Sequence, residues 1–301
     1  MGVLNRTPDS FSDGGRFTSD AAASAYIEAM LAEGADIIDI GAESTRPGSE
    51  HVSDRDQIAR LGSGVRDAVR RGALVSIDTT SAAVAEYALD EGAAVVNTVS
   101  LDAAAALGAL CSRYDAALVL MHSRGTMGDM KGFSAYADDA YQDVVADVAR
   151  EWTAAAELAV GAGLPRGELV FDPGFGFAKN ARHSLELVAR LRELCALGFP
   201  VLVGPSRKSF LARAATHEDS GLPEAAPEQR LGATIAACVA CAERGAAIVR
   251  VHDVAPVRQA LALSAAVSRV ERGAATHGSK ASADALHGSL AIPRRDEGTR
   301  R

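Results

Sequence analysis

The chain has 301 residues, 48% of them hydrophobic and 23% charged, with a formal net charge of −8. That length fits one large α/β domain or two small ones. The acidic balance excludes broad nucleic-acid binding, which needs a basic face to neutralise phosphates, and no apolar run approaches the roughly 20 residues that span a bilayer.

In chain order, short apolar runs bounded by Gly, Asp or Asn recur: GVLN, DIIDIG, LVSID, AVVN, ALVLMH, ELVFD, PVLVG and AIVRVHD. They are rich in Val, Ile and Leu and lack strict alternation, as expected of strands buried on both faces. Stretches with helical spacing separate most of them, such as Asp20 to Glu33 and Tyr141 to Gly161. The alternation predicts parallel βαβ units, and eight strands predict a closed, single-domain (β/α)8 TIM barrel over residues 1–272. From Gly273 to Arg301 the apolar period lapses, which predicts a disordered C-terminal tail. The start has no basic region followed by an apolar stretch, so a cytoplasmic protein with no membrane association is expected. Four cysteines do not make a disulfide framework in a chain of this size. Cys238 and Cys241 lie in an Ala-rich helical run and read as helix-packing residues.

Most of these strands end in a polar residue: Asn5, Asp39, Asp78, Asn97, His122, Asp172, Arg250 and His252. Asp and Asn often end strands as turn formers. In a parallel barrel, however, all C-terminal strand ends open onto the face where active sites sit, and this run of polar tips predicts the rim of a site.

Particular stretches sharpen the chemistry. In LVGPSRKSF a strand ends at Gly204, and Ser206 suits the N-cap of a following helix. Arg207, Lys208 and Ser209 then fall in the first turn, where cations oppose the helix dipole and a bound anion would account for them. The spacing is not that of a P-loop. In AIVRVHDV, Arg250 and His252 lie two apart on a strand and point to one side. A cationic pair there needs an anion, either a phosphate or diphosphate held by the Arg fork or an internal partner such as Asp253 or another acid. Asp78, Asn97 and Asp172 together suit a ring rich in donors and acceptors, such as a pterin or guanine. No His, Asp and Glu group has the spacing of a metal cage; Asn5 offers one oxygen to a Mg²⁺ otherwise held by water and phosphate. The opening loop and the loop in DIGAESTRPGSE look like covers that close over a substrate.

The span from Met1 to about Val270 resembles dihydropteroate synthase: MGVLNRTPDSFSDGG, DIGAESTRPG, SIDT, LMHSRG, DPGFGFAKN, GPSRKSF and RVHDV occur in that family's order. The resemblance implies a pterin-binding (β/α)8 barrel, a transferase of folate biosynthesis. It would condense 6-hydroxymethyl-7,8-dihydropterin diphosphate with p-aminobenzoate, giving dihydropteroate and diphosphate. By position it implies that Asp78, Asn97, Asp172 and Lys208 hold the pterin, and that Asn5, Arg250 and His252 hold the diphosphate, with Asn5 binding Mg²⁺. Phe11, Thr45, Arg46, Pro47 and Ser209 would shape the p-aminobenzoate pocket, where sulfonamides would also bind. Asp78, Lys208, Arg250 and His252 would carry catalysis, and the last helices would form a homodimer. The chain departs from the family pattern at Arg6, where Val is usual, and at Thr98, where Asp is usual. Two other readings stand beside this one. A methyltetrahydrofolate-dependent methyltransferase working with a corrinoid partner would share the pterin acids but has no use for a diphosphate site. A non-catalytic paralogue would bind pterin without turnover.

Overall fold

A computed structural model describes residues 1–7, 19–43, 52–125, 136–215 and 224–287, with 215 and 273–287 as backbone only. The strands are β1 (Gly2–Asn5), β2 (Ile37–Gly41), β3 (Leu74–Asp78), β4 (Val95–Thr98), β5 (Ala117–Met121), β6 (Leu169–Asp172), β7 (Leu202–Val203) and β8 (Ile248–Val249). Each lies within one of the apolar runs read from the sequence, β4 alone extending past its run, by one residue. The helices are α1 (Asp20–Ala32), α2 (Asp54–Leu61), α3 (Gly64–Arg70), α4 (Ala82–Asp90), α5 (Ala104–Arg113), α6 (Val144–Gly161), α7 (Ala181–Ala189), α8 (Leu191–Cys195), α9 (Ser209–Ala215), α10 (Leu231–Glu243) and α11 (Val254–His287).

Strands β1 to β6 pair in parallel in sequence order, and β7 pairs with β8. Single bridges Phe171↔Val201 and Gly2↔Val251 join the two sheets into a ring. The closed parallel barrel expected from the strand–helix alternation is therefore present. Strands in such a ring are covered on both faces, which is why their sequences lack alternation.

Helix and loop chemistry fixes the layers around the barrel. Ser19, Ser53, Ser81, Asp143 and Asn180 cap their helices by accepting backbone N–H groups, satisfying donors the first turn leaves open. Trp152 of α6 stacks on Phe171 at 4.3 Å and donates its Nε1–H to the Leu120 carbonyl at 2.7 Å. Helix α5 approaches α6 so closely that a side chain at Gly108 would meet the Ala159 Cα at 2.8 Å. Cys238 and Cys241 are buried on α10, in the packing role read from the sequence.

By internal contacts the chain forms two compact units, Met1–Ala260 and Leu261–Arg301. The first contains all eight strands. Gly273, where the disordered tail is expected to begin, lies within the span of α11, Val254–His287.

Candidate active site

The parallel register sets the rim. Asn5 is paired with Gly41, Gly41 with Asp78, and Asp78 with Asn97, so three of the polar strand ends stand in one row. One layer below, Val3, Asp39 and Ser76 form the next inward-facing row. Asp39 is wholly buried, and the Asn97 amide donates to its Oδ2 at 3.2 Å.

Arg250 reaches across the barrel from the end of β8. Its Nε donates to Asp39 Oδ2 at 2.6 Å and its Nη2 to Asp78 Oδ2 at 2.7 Å. The remaining oxygens, Asp39 Oδ1 and Asp78 Oδ1, are buried and have no hydrogen-bond partner among the described residues. The internal acid considered for Arg250 is thus Asp39 with Asp78. Asp253 instead pairs with Arg207, whose Nη2 lies 2.8 Å from its Oδ1. Burial works against the charge on Arg250, but Asp39 and then Asp78 outweigh it and hold the guanidinium above its ordinary value.

On the far side of the pocket, Asp172 ends β6 and accepts the Gly174 N–H at 2.7 Å. Gly174 has φ +68°, and a side chain there would lie 2.1 Å from the His122 carbonyl oxygen, so only glycine fits this turn. Lys208 faces Asp172: burial pulls its ammonium down to about 8, and Asp172 opposes that shift. Its Nζ donates to the Phe175 carbonyl at 2.6 Å and lies 4.7 Å from the centre of the Phe177 ring. Burial also raises the Asp172 carboxyl, with Lys208 pulling the other way.

Burial pushes Asp78 up to about 7, against the pull of Arg250 and with Asp39 adding to the rise. A folded-state value above the unfolded one gives stability that is fully present below about pH 4 and lost as pH rises through about 7. Asp78→Asn removes that loss. The difference in Tm between variant and parent, followed between about pH 4 and pH 8, is therefore expected to move in the variant's favour as pH rises. A difference independent of pH would contradict this account of Asp78.

Four rim residues, Ser206, Arg207, Lys208 and His122, sit differently from the sequence reading. Helix α9 begins at Ser209, so Ser206 is not its N-cap, and Arg207 and Lys208 lie in the preceding turn. Arg207 has φ +60°, a left-handed conformation that a helix cannot include; the Arg207 N–H donates to Thr234 Oγ1 and Arg230 donates to its carbonyl. The hydroxyl of Ser206 instead meets His252. His122 is drawn into a buried cluster: its Nδ1 accepts from Lys179 Nζ at 2.9 Å and its Nε2 lies 3.0 Å from Glu151 Oε2. Burial, then Lys179, pushes its imidazole down to about 4. Ser209 opens α9, while Phe11, Thr45, Arg46 and Pro47 lie outside the described residues.

The two departures from the family pattern have local explanations. Arg6 is buried, and its guanidinium donates to the Leu61 carbonyl and to Asp20 Oδ1, both at 2.6 Å. It therefore ties the end of β1 to the α2–α3 turn. Arg6→Val leaves the Leu61 carbonyl without that donor and is expected to cost about 1–3 kcal/mol of stability while turnover stays within about twofold. Denaturant unfolding and steady-state rates check this; a selective change in diphosphate affinity would contradict it. Thr98 is fully buried at the end of β4, and its hydroxyl accepts the Ser100 N–H.

These elements define a parallel-barrel enzyme whose rim joins an acidic, hydrogen-bonding pocket to a cationic seat. The family described as pterin binding enzyme matches residues 1–252. A dihydropteroate synthase of Mycobacterium leprae is 44% identical over 255 residues, covering 84% of this chain and 88% of that one. A second, from Synechocystis, is 40% identical over 262 residues and covers 86% of each chain. Among solved structures, the Yersinia pestis dihydropteroate synthase with a sulfonamide drug superposes with a TM-score of 0.81 at 35% identity, covering 89% of this chain and 93% of that one. The Thermus thermophilus enzyme in complex with 4-aminobenzoate gives 0.73 at 38% identity, covering 88% and 93%. The chain belongs to the pterin-binding enzyme family, and within it to the dihydropteroate synthases.

Proposed function

We propose that the chain condenses 6-hydroxymethyl-7,8-dihydropterin diphosphate with p-aminobenzoate, releasing diphosphate and forming dihydropteroate. The observation that carries this reading is the position of Arg250, which joins the acid pocket of Asp39, Asn97 and Asp78 to the rim shared with His252 and Lys208. Asp78, Asn97, Asp172 and Lys208 hold the pterin, whose ring N–H groups match the acceptors left open on Asp78. Arg250 uses Nε and Nη2 on its carboxylates, and Nη1 makes no hydrogen bond among the described residues. That third arm is the donor offered to a diphosphate, together with His252.

The bond from the pterin methylene carbon to the diphosphate oxygen breaks, and its electron pair leaves with the oxygen. Arg250 and His252 stabilise the charge that develops there. The electron-rich pterin shares the positive charge left on the methylene, and the carboxylate of Asp78 favours it. The amine lone pair of p-aminobenzoate forms the new C–N bond, and its proton passes to solvent. The amine is positioned rather than activated, a role that falls to Ser209 with Phe11, Thr45, Arg46 and Pro47; sulfonamides would compete for the same place.

Magnesium belongs to the same proposal. Asn5 places a hard oxygen donor at the rim, its Oδ1 about 3.7 Å from where a Cβ on Gly41 would stand. Among the described residues no three His, Cys, Asp or Glu side chains form a cage. One amide oxygen fits an ion that keeps its waters and binds substrate phosphates. When bound, it would supply Lewis-acid stabilisation of the leaving oxygens.

A homodimer through the last helix and a cytoplasmic location complete the reading. Leu263, Val267 and Val270, exposed and spaced four and three apart on α11, support the dimer. No helix among the described residues is long and apolar enough to cross a membrane. The test is conversion by the purified chain with magnesium and both substrates, with dihydropteroate as the product read. Methyl transfer from methyltetrahydrofolate to a corrinoid, without diphosphate release, would overturn the proposal in favour of the methyltransferase.

A further inference from the structure

The sequence reading gave Ser206 a capping role that the fold does not use, and its hydroxyl is fully committed elsewhere. Ser206 Oγ accepts the backbone N–H of His252 at 3.2 Å and lies 3.0 Å from the Nδ1 of the same residue. Among the described residues these are its only side-chain hydrogen bonds, and Ser206 is buried. With the N–H accepted, the hydroxyl has one proton to place, and among the described residues Nδ1 is the only acceptor it meets. The main chain at this point is further held by Tyr26, whose hydroxyl donates to the His252 carbonyl at 3.1 Å.

We infer that Ser206 is a positioning residue that fixes His252 as the neutral Nε2–H tautomer, so that the imidazole presents a hydrogen-bond donor, and never a bare lone pair, to an oxyanion at the rim. The assignment rests on the proposed diphosphate site, since it says how His252 serves there. The neutral form follows from the surroundings. Burial lowers the His252 pKa to about 3, and the guanidinium groups of Arg207 and Arg250 and the ammonium of Lys208 add to the shift. Among three cations an imidazole with the other tautomer would turn an acceptor toward the anion and repel it. A hydroxyl on Nδ1 removes that option without adding charge.

The experiment is a two-bond ¹H–¹⁵N correlation spectrum of the histidine side chains in the uniformly labelled full chain at neutral pH, with His252→Gln identifying the His252 signals. Inorganic diphosphate with magnesium is then titrated by calorimetry into the same proteins. The parent is expected to carry its proton on Nε2. Ser206→Ala should move His252 toward a mixture of tautomers and weaken diphosphate binding about 10-fold, the size of one lost neutral hydrogen bond. Ser206→Thr, which keeps the hydroxyl, should restore both readouts. A proton on Nδ1 in the parent, or an unchanged Nε2–H form in Ser206→Ala, would overturn the inference while leaving the diphosphate site standing. A tautomer that shifts as expected with unchanged diphosphate affinity would instead overturn the placement of diphosphate at His252. Binding of 6-hydroxymethyl-7,8-dihydropterin, which lacks the diphosphate, should be equal in all three proteins and reports an intact pocket.

Discussion

Arg250→Ala is expected to lower the rate of dihydropteroate formation by on the order of 10²–10³, the usual cost of removing a donor aimed at developing charge. The structure adds a second consequence. Among the described residues Arg250 alone joins Asp39 to Asp78, and each acid has one buried oxygen without a hydrogen-bond partner there. Its removal leaves two carboxylates facing each other in a poorly hydrated barrel. Breaking a buried pair in this way costs about 3–5 kcal/mol; the lower end is expected, because 22% of the Arg250 side chain meets solvent. The two effects separate experimentally. Arg250→Lys keeps the charge but cannot bridge two carboxylates with a planar fork, so it should recover part of the stability and little of the rate. Combining Arg250→Ala with Asp39→Asn should likewise recover stability without rate. A rate that returns with stability would show that Arg250 serves the fold alone.

Lys208→Met carries the second large effect. The ammonium faces Asp172, donates to the Phe175 carbonyl and stands over the Phe177 ring. Methionine preserves the apolar stem and removes the charge. A hydrogen bond from a charged donor contributes about 1.5–3 kcal/mol, so pterin affinity is expected to fall by roughly one to two orders of magnitude. Direct titration with 6-hydroxymethyl-7,8-dihydropterin checks this, and unchanged affinity would remove Lys208 from the pterin pocket. Asp172 would then also need a different role, since Lys208 is the first of the cations that favour its charge.

Much of this arrangement was legible in the amino-acid sequence, for identifiable reasons. Strands covered on both faces leave unbroken runs of Val, Ile and Leu, and a parallel barrel turns every C-terminal strand end toward one rim; that is why the sequence alone groups Asn5, Asp78, Asn97 and Asp172. What escaped the sequence depends on contacts between distant segments. Asp39 was visible as a polar strand residue, but its partner Arg250 lies 211 positions away. The Asp39 carboxylate, flanked by isoleucines within DIIDIG, is the available signal, because a buried charge needs a cation. Ser206 looked like an N-cap because Ser followed by charged residues is what a helix start offers. The left-handed turn at Arg207, held by Thr234, Arg230 and Asp253, delays the helix and frees Ser206 for His252. His122 reads as a polar strand tip, and nothing in the sequence marks Lys179 as its partner. Their mutual bond closes only when β5 and the β6–α7 turn come together.

Arg6 illustrates the converse. In sequence it stands beside Asn5, at a position where the family pattern has Val. In the fold its guanidinium donates to the Leu61 carbonyl and to Asp20. The departure from the usual valine is thus matched by Asp20 and by Gly62 and Gly64, where added side chains would crowd the guanidinium. That compensation is what a retained barrel requires, and it leaves Arg250, His252 and Lys208 in place at the rim.

The central claim is that the acid pocket and the cationic seat work on one substrate. The measurement that tests it most directly is diphosphate release from the dihydropterin diphosphate by the purified chain with magnesium, with and without p-aminobenzoate. The account predicts release that depends on p-aminobenzoate and matches dihydropteroate formed, mole for mole. Tight binding of the pterin diphosphate with no release when p-aminobenzoate is added would contradict it, and would leave a pterin-binding barrel without the transferase.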